Sequence, residues 1–369
     1  MKPMPLAVVQ LSLCVWALSG ASAQAQDRFS LSGFGSLVAG KVTSGDGYIA
    51  SYPTLGIYGK HGGANFGPDQ RSWFNPETRL GLQAGLRLAD TTRLTGQVMA
   101  RGADKYKPKA EWFYLTHEFS PELDLQAGQM RLPVYMYSDK MDVGFAYPWL
   151  RVPSDAYSLD SVNYTGARLN YRLNLGDISA RLSLWGGKDK DLNSRLMSYL
   201  FSTQIDRRHS FSGVVGDVSW GDLQLRATYT RDSMKQSTPN PAQAFRNENF
   251  KGEFYDLALS YQAGDFTLLA EWNKDRPFYS SWYLSGVYQF GVNSAYLTYS
   301  RFILDLPWEK HNQVAIGWRR DIGSNMALKF DVTRLRDQGR NPFSGAANPV
   351  IKLGAGHATV ASVALDFIF

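Results

Sequence analysis

The chain has 369 residues, 20% charged and 14% aromatic, with a formal net charge of +6 and a mean hydropathy of −0.29. After the N-terminal segment no run of about 18 apolar residues occurs, which excludes a helical membrane protein but not a barrel whose strands show lipid at every second residue. The positive balance is small and scattered, and it gives no argument for a nucleic-acid partner.

The chain opens with Lys2, an apolar stretch from Leu6 to Leu18, and the small-residue exit Gly20-Ala-Ser-Ala-Gln-Ala25. A basic start, a short apolar core and a small-residue exit are the layout of a secretory signal peptide, with cleavage expected after Ala23 or Ala25. The competing reading is a short membrane anchor, and it needs a longer apolar core than this one. The single cysteine, Cys14, lies inside the segment. The exported chain, 26–369, is therefore expected to carry neither a disulfide nor a thiolate metal site. It has 38 basic and 33 acidic residues.

Sixteen strands are predicted, most near the 9–11 residues that cross a bilayer at a tilt. In chain order they are 29–41, 78–89, 92–101, 109–119, 123–132, 161–174, 178–187, 210–220, 223–232, 251–262, 266–274, 281–289, 294–302, 311–320, 326–336 and 358–369. Alternation at period two carries these assignments. Leu80, Leu82, Ala84, Leu86 and Leu88 share one face, with Arg79, Gln83 and Arg87 opposite. Ala167, Leu169, Tyr171 and Leu173 likewise oppose Arg168, Asn170 and Arg172. On the last strand Thr359, Ala361, Val363, Leu365, Phe367 and Phe369 form one face, and the other holds small residues and Asp366. Soluble antiparallel sheets alternate too, so no single strand decides the class.

The connectors discriminate better. Seven are short and rich in Gly, Asp, Asn and Pro, which supply the backbone angles of tight hairpins: 89–91, 120–122, 175–177, 221–222, 263–265, 290–293 and 321–325. Eight are mostly longer: 42–77, 102–108, 133–160, 188–209, 233–250, 275–280, 303–310 and 337–357. The two kinds alternate along the chain. An up-and-down meander then gathers every short turn and both termini at one end and every long loop at the other, the asymmetry of outer-membrane barrels. A soluble β-sandwich has no reason to sort its loops in this way. The fold expected is all-β: one closed antiparallel transmembrane barrel of about 16 strands over 26–369, with 29–41 pairing 358–369 so that no edge remains.

The signal peptide, the glycine-rich aromatic opening FSLSGFGSL at 29–37 and the alternating last strand ending on Phe369 resemble the sixteen-stranded porin superfamily of Gram-negative bacteria. The resemblance implies a water-filled pore in the outer membrane that passes small hydrophilic solutes, with outer-membrane lipid around it and a homotrimeric assembly. It also implies that Phe369 is the signal read by the barrel-assembly machinery. The third long connector, 133–160, is the loop that in this family folds inward to narrow the pore. The Pro-Glu-Phe-Gly-Gly stretch that general porins often carry there is absent.

If the apolar faces meet lipid, the opposite faces line the lumen with Arg79, Arg87, Arg101, Arg168, Arg172, Arg181, Arg226, Arg319 and Lys329, against Asp256, Glu271, Asp331 and Asp366. A basic wall concentrates anions, so a mild anion preference is expected. The expected constriction sets Arg79, Arg87, Arg101 and Arg168 against the loop carboxylates Asp139, Asp142 and Asp155, with Arg172 on the adjoining wall. The alternative is that these arginines pair locally and only stiffen the wall.

Two other functional readings stand beside the channel: an outer-membrane barrel enzyme or adhesin working through its external loops, and a secreted β-sandwich. Neither a His-Glu-x-x-His, a Gly-x-Ser-x-Gly nor a P-loop spacing occurs, and no cofactor or metal is expected. The five histidines, His61, His117, His209, His311 and His357, fall mostly in loops or at strand ends.

Overall fold

A computed structural model describes residues 28–45, 49–51, 56–59, 62–65, 74–159, 161–194, 203–238, 248–305, 310–338 and 357–369. The expected signal peptide and its cleavage positions lie outside these residues.

The first barrel strand, β1 (Phe29–Gly45), is followed by three short strands, β2 (Ile49–Ser51), β3 (Gly56–Gly59) and β4 (Gly62–Asn65), which form a small sheet of their own within the first long connector. Next come β5 (Arg79–Ala89), β6 (Thr92–Arg101), β7 (Lys109–Glu118), β8 (Leu123–Arg131), β9 (Asn163–Leu175) and β10 (Ile178–Asp191). They lead into β11 (Asp206–Trp220), β12 (Leu223–Ser237), β13 (Glu248–Ala263), β14 (Phe266–Arg276) and β15 (Tyr279–Phe290). The chain ends with β16 (Asn293–Leu304), β17 (Lys310–Ile322), β18 (Met326–Asp337) and β19 (His357–Ile368).

β1 and β5–β19 close into one antiparallel barrel of sixteen strands, each paired with its neighbours in the chain. β19 closes the ring against β1 with Leu37 opposite Leu365. The closure continues one residue past β19, where the Phe369 N–H and C=O exchange hydrogen bonds of 2.9 and 2.8 Å with Gly33. Gly33 leaves room for the Phe369 ring, which would have to swing aside for a Cβ there. Closure satisfies the edge hydrogen-bonding groups, which a barrel in lipid requires.

The two faces separate as the alternation dictates. Leu182, Leu184, Leu257, Leu297, Ile316 and Val332 are exposed on the outside, while Asp124, Asn170, Asp256, Asn273, Lys329 and Asp366 are buried inside. Large apolar side chains left exposed over a continuous band are the mark of a surface that faces hydrocarbon.

The short turns are as expected. Gly221 takes a φ of +54° in the two-residue turn between β11 and β12, a region where a side chain is disfavoured. All sixteen predicted spans are barrel strands, but β10–β13 run further at the long-loop end than alternation of apolar residues indicated, to Asp191, from Asp206, to Ser237 and from Glu248. Backbone pairing there continues with mostly polar side chains on both faces, Met234 and Phe250 being the apolar ones.

Candidate pore constriction

The connector between β8 and β9, described over 132–159 and 161–162, sits inside the barrel. Its backbone carbonyls are its main fastenings. Pro133 O accepts from Arg226 Nη2 on β12 at 2.8 Å, and Ala156 O accepts from Asn273 Nδ2 on β14 at 3.1 Å. Lys329 on β18 donates to Gly144 O, Tyr147 O and Trp149 O at 2.6, 2.9 and 2.7 Å. Arg319 on β17 donates to Phe145 O and Tyr147 O, both at 2.9 Å. A segment held from four strands spread around the wall has to cross the lumen.

Local sequence allows this path. Two single 3-10 turns, Ser138–Lys140 and Gly144–Ala146, compact the loop. At Gly144 a Cβ would strike the Asp366 carboxylate and the Ser36 hydroxyl, so only glycine lets the backbone come this close to β19 and β1.

Three polar knots join the loop to the wall. In the first, Arg79 Nε on β5 donates to Asp142 O at 2.7 Å, Arg101 Nη2 on β6 donates to the Asp142 carboxylate at 2.9 Å, and Arg131 bonds the same carboxylate. Arg101 also holds Glu111 on β7. Burial pushes the Asp142 carboxyl up, but the guanidinium groups of Arg101, Arg131 and Arg79 outweigh it and hold it well below the usual carboxylate range.

In the second knot, Arg151 bridges Glu77 and Asp331, with contacts of 2.9 Å to each carboxylate and 2.6 Å to Ser362 Oγ. In the third, Asp155 accepts from Ser300 Oγ at 2.9 Å and from Gln313, and His311 Nδ1 lies 3.0 Å away. Charge-assisted bonds of this kind, away from water, fix position as well as contributing energy.

An aromatic core backs the loop against β13–β17. Trp149 Nε1 donates to Ser285 Oγ at 2.9 Å and Thr298 Oγ1 at 3.0 Å, and its ring meets Tyr283 edge-on at 5.5 Å. Tyr157 donates to Glu271 at 2.7 Å, and Met136 N–H donates to the same carboxylate at 2.9 Å. Burial pushes the Tyr137 and Tyr147 phenols up to about 12, so both stay neutral at ordinary pH.

Of the residues expected to form the constriction, the structure brings Arg79 and Arg101 together with Asp142. Asp155 is elsewhere, engaged by β16 and β17. Arg87 stands directly across from Arg93 at the short-turn end, both exposed. Arg168 donates to Gln126 Oε1 at 2.9 and 2.7 Å, and Arg172 pairs with Asp124. Asp139 and its neighbour Lys140 are exposed on the loop.

Sequence reasoning missed Glu77, Glu111 and Arg131 as partners. Glu111 lies beside a bulge in β7, where the register to β6 shifts and simple alternation fails. It also placed Lys329 and Asp366 on the wall without pairing them. Among the described residues no group of three or more His, Cys, Asp or Glu side chains is arranged to hold a metal.

A closed sixteen-strand barrel, apolar outside, charged inside and crossed by one internal loop, defines an outer-membrane channel protein. A sequence profile described as Gram-negative porin matches residues 11–365, and the chain belongs to that family. Among solved structures it is similar to the OmpF–daunomycin complex of Salmonella typhi, at 14% identity and a TM-score of 0.58 over 92% of this chain and 97% of that one. It is also similar to the anion-selective porin of Comamonas acidovorans, at 14% identity and a TM-score of 0.55 over 92% and 100%. The trimer form of OmpT from Vibrio cholerae matches at 12% identity and a TM-score of 0.56 over 93% and 100%. At these identities the likeness is one of fold. Comparison with curated protein sequences found no match.

Proposed function

We propose that the protein is a passive diffusion channel for small hydrophilic solutes with a mild preference for anions, narrowed by the loop 132–162. The observation that carries the preference is an imbalance in the lumen. The loop carboxylates Asp142 and Asp155 are engaged by the wall, and the exposed Asp139 has the exposed Lys140 as its neighbour on the same turn. Arg87, Arg93 and Arg168 form no ion pair among the described residues. Guanidinium groups that keep their field facing water raise the local anion concentration. Family membership and the lumen geometry both favour a channel over an enzyme or adhesin.

The reading extends to removal of the signal peptide after Ala23 or Ala25 on export, to Phe369 as the assembly signal, and to a homotrimer, in keeping with the trimer form of the Vibrio cholerae protein. Planar-bilayer recording tests the function. Discrete channels with a reversal potential of anionic sign under a salt gradient are expected. Folded protein that gives no channels defeats the channel reading, and a clear cationic sign defeats the preference.

A further inference from the structure

The buried acids that fasten the inner loop elsewhere each touch a counter-charge: Asp142 has Arg101 and Arg131, Glu77 and Asp331 have Arg151, and Asp366 has Lys329. Asp256 on β13 does not. Its side chain has no exposed surface, and among the described residues nothing donates a hydrogen bond to either of its carboxyl oxygens. An ionised carboxylate in that position has lost its water and gained no partner.

Strand register sets what lies beside it. Asp256 stands directly opposite Thr228 on β12 and Asn273 on β14. The Thr228 hydroxyl does not reach it, and Asn273 is spent, donating to Ala156 O at 3.1 Å and accepting from Ser281. Glu271 stands opposite Ala258, so Asp256 and Glu271 are diagonal neighbours on the inner face. Diagonal neighbours lie about 7–8 Å apart, within range of long side chains, and these two carboxyls come within hydrogen-bonding reach of one another.

Glu271 is buried as well, but both its oxygens are engaged. Met136 N–H donates to Oε1 at 2.9 Å and the Tyr157 hydroxyl donates to Oε2 at 2.7 Å. Two donors, both from the inner loop, mark Glu271 as the acceptor and as the seat of negative charge. The cation on this part of the wall is Arg226 on β12, and it is committed elsewhere. Its Nη1 donates to Asp217 at 2.9 Å and its Nη2 to Pro133 O at 2.8 Å. The other ionisable groups packed here are phenols, Tyr135, Tyr137 and Tyr157 from the loop and Tyr279 and Tyr283 from β15. None of them supplies a positive charge. Two anions side by side in so dry a place repel strongly. One proton between them removes the repulsion and gives Asp256 the bond it lacks.

We propose that Asp256 is a proton-bearing positioning residue: it stays a neutral acid at ordinary pH, donates its O–H to Glu271, and so holds Glu271 as the anion from which the inner loop hangs at Met136 and Tyr157. The role rests on that loop being the element that narrows the pore. Three donors then converge on one carboxylate, and the dyad contributes a single negative charge to the lumen.

The test is infrared spectroscopy of the full-length, detergent-purified protein at neutral pH. The wild type shows the C=O stretch of a protonated carboxylic acid, which moves when the protein is refolded in heavy water. Isotope-labelled aspartate shifts that band, and isotope-labelled glutamate leaves it in place. Asp256→Asn abolishes the band, whereas Asp142→Asn, which removes a carboxylate that guanidinium groups keep ionised, retains it. An amide at 256 replaces one donor with another, so Asp256→Asn keeps the unfolding temperature and the steady current of the wild type. Asp256→Leu has no donor, and it lowers the unfolding temperature and makes the current noisier. The proposal is overturned if the wild type lacks the band, if labelled glutamate alone shifts it, or if Asp256→Asn destabilises the barrel as much as Asp256→Leu does. The band and the unfolding temperature are read without any current. A folded protein that passes no ions therefore defeats the channel reading and leaves the protonation of Asp256 to be decided by the spectrum.

Discussion

Nζ of Lys329 lies 3.0 Å from Oδ2 of Asp366, and neither side chain has any exposed surface. The two residues belong to adjacent wall strands, and the ammonium group also donates to the three loop carbonyls of Gly144, Tyr147 and Trp149. The pair thus neutralises a buried charge while its cation fastens the loop. Lys329→Met leaves Asp366 buried without its counter-charge and should cost about 3–5 kcal/mol. Thermal unfolding of the purified barrel should show the loss, with noisier single-channel current. Lys329→Met/Asp366→Leu should be less destabilised than the sum of the single variants, and strict additivity would show that the pair is uncoupled.

Asp142 is where three guanidinium groups converge. Asp142→Ala leaves Arg101 and Arg131 to share the single carboxylate of Glu111 in a dry site, so a destabilisation of about 3 kcal/mol and a larger, less stable conductance are expected. A variant with wild-type conductance and unfolding temperature would mean that the loop is held without this knot.

The same carboxylate sets an acid limit. Its folded pKa is depressed below an unfolded value of about 3.9, so its contribution is fully present above that value and is lost as pH falls through the folded one. The loop should therefore stay fastened from neutral pH down to about pH 4 and loosen only in stronger acid. The difference in unfolding temperature between wild type and Asp142→Asn should be constant above about pH 4 and shrink below it. A difference that shrinks between pH 7 and 5 would contradict the assignment.

Selectivity and stability should separate at Arg168, whose side chain bonds only the neutral Gln126 among the described residues. Arg168→Gln should move the reversal potential towards the cationic side while changing stability by about 0.5 kcal/mol or less. Adding Arg87→Gln and Arg93→Gln should move it further, and removing that directly opposed pair relieves like-charge repulsion. An unchanged reversal potential in the triple variant would locate selectivity elsewhere.

Phe369 completes the ring through its backbone while its ring lies exposed on the outer face. Deleting it should lower the yield of assembled barrel and leave the conductance of the assembled fraction unchanged. Normal yield would remove it as an assembly signal.

The strands were legible because alternation in a membrane barrel is enforced on both faces: Leu82 and Leu86 meet lipid, and Gln83 and Arg87 meet the lumen. Closure was legible too, since an even count brings 29–41 and 358–369 together. The path of the inner loop was not. It rests on backbone carbonyls at Gly144, Tyr147 and Trp149, and a carbonyl has the same letter whichever residue carries it. The charged partners were half legible. Asp142 stands out as a loop carboxylate, yet its place beside Arg101 and Arg131 rather than Arg168 follows from how the chain folds back on itself, which no spacing records. The small sheet β2–β4 was missed because its strands are only three or four residues long.

Between Met136 and Asp142 the inner loop passes from a bond with Glu271 on β14 to an ion pair with Arg101 on β6. Those strands are eight places apart in a ring of sixteen, on opposite sides of the cylinder. A tie across the full diameter resists ovalisation as a spoke resists the flattening of a wheel. Lateral pressure from the surrounding bilayer is then met in part by side-chain bonds across the lumen, and the pore's cross-section becomes a mechanical property of seven loop residues as well as of the wall.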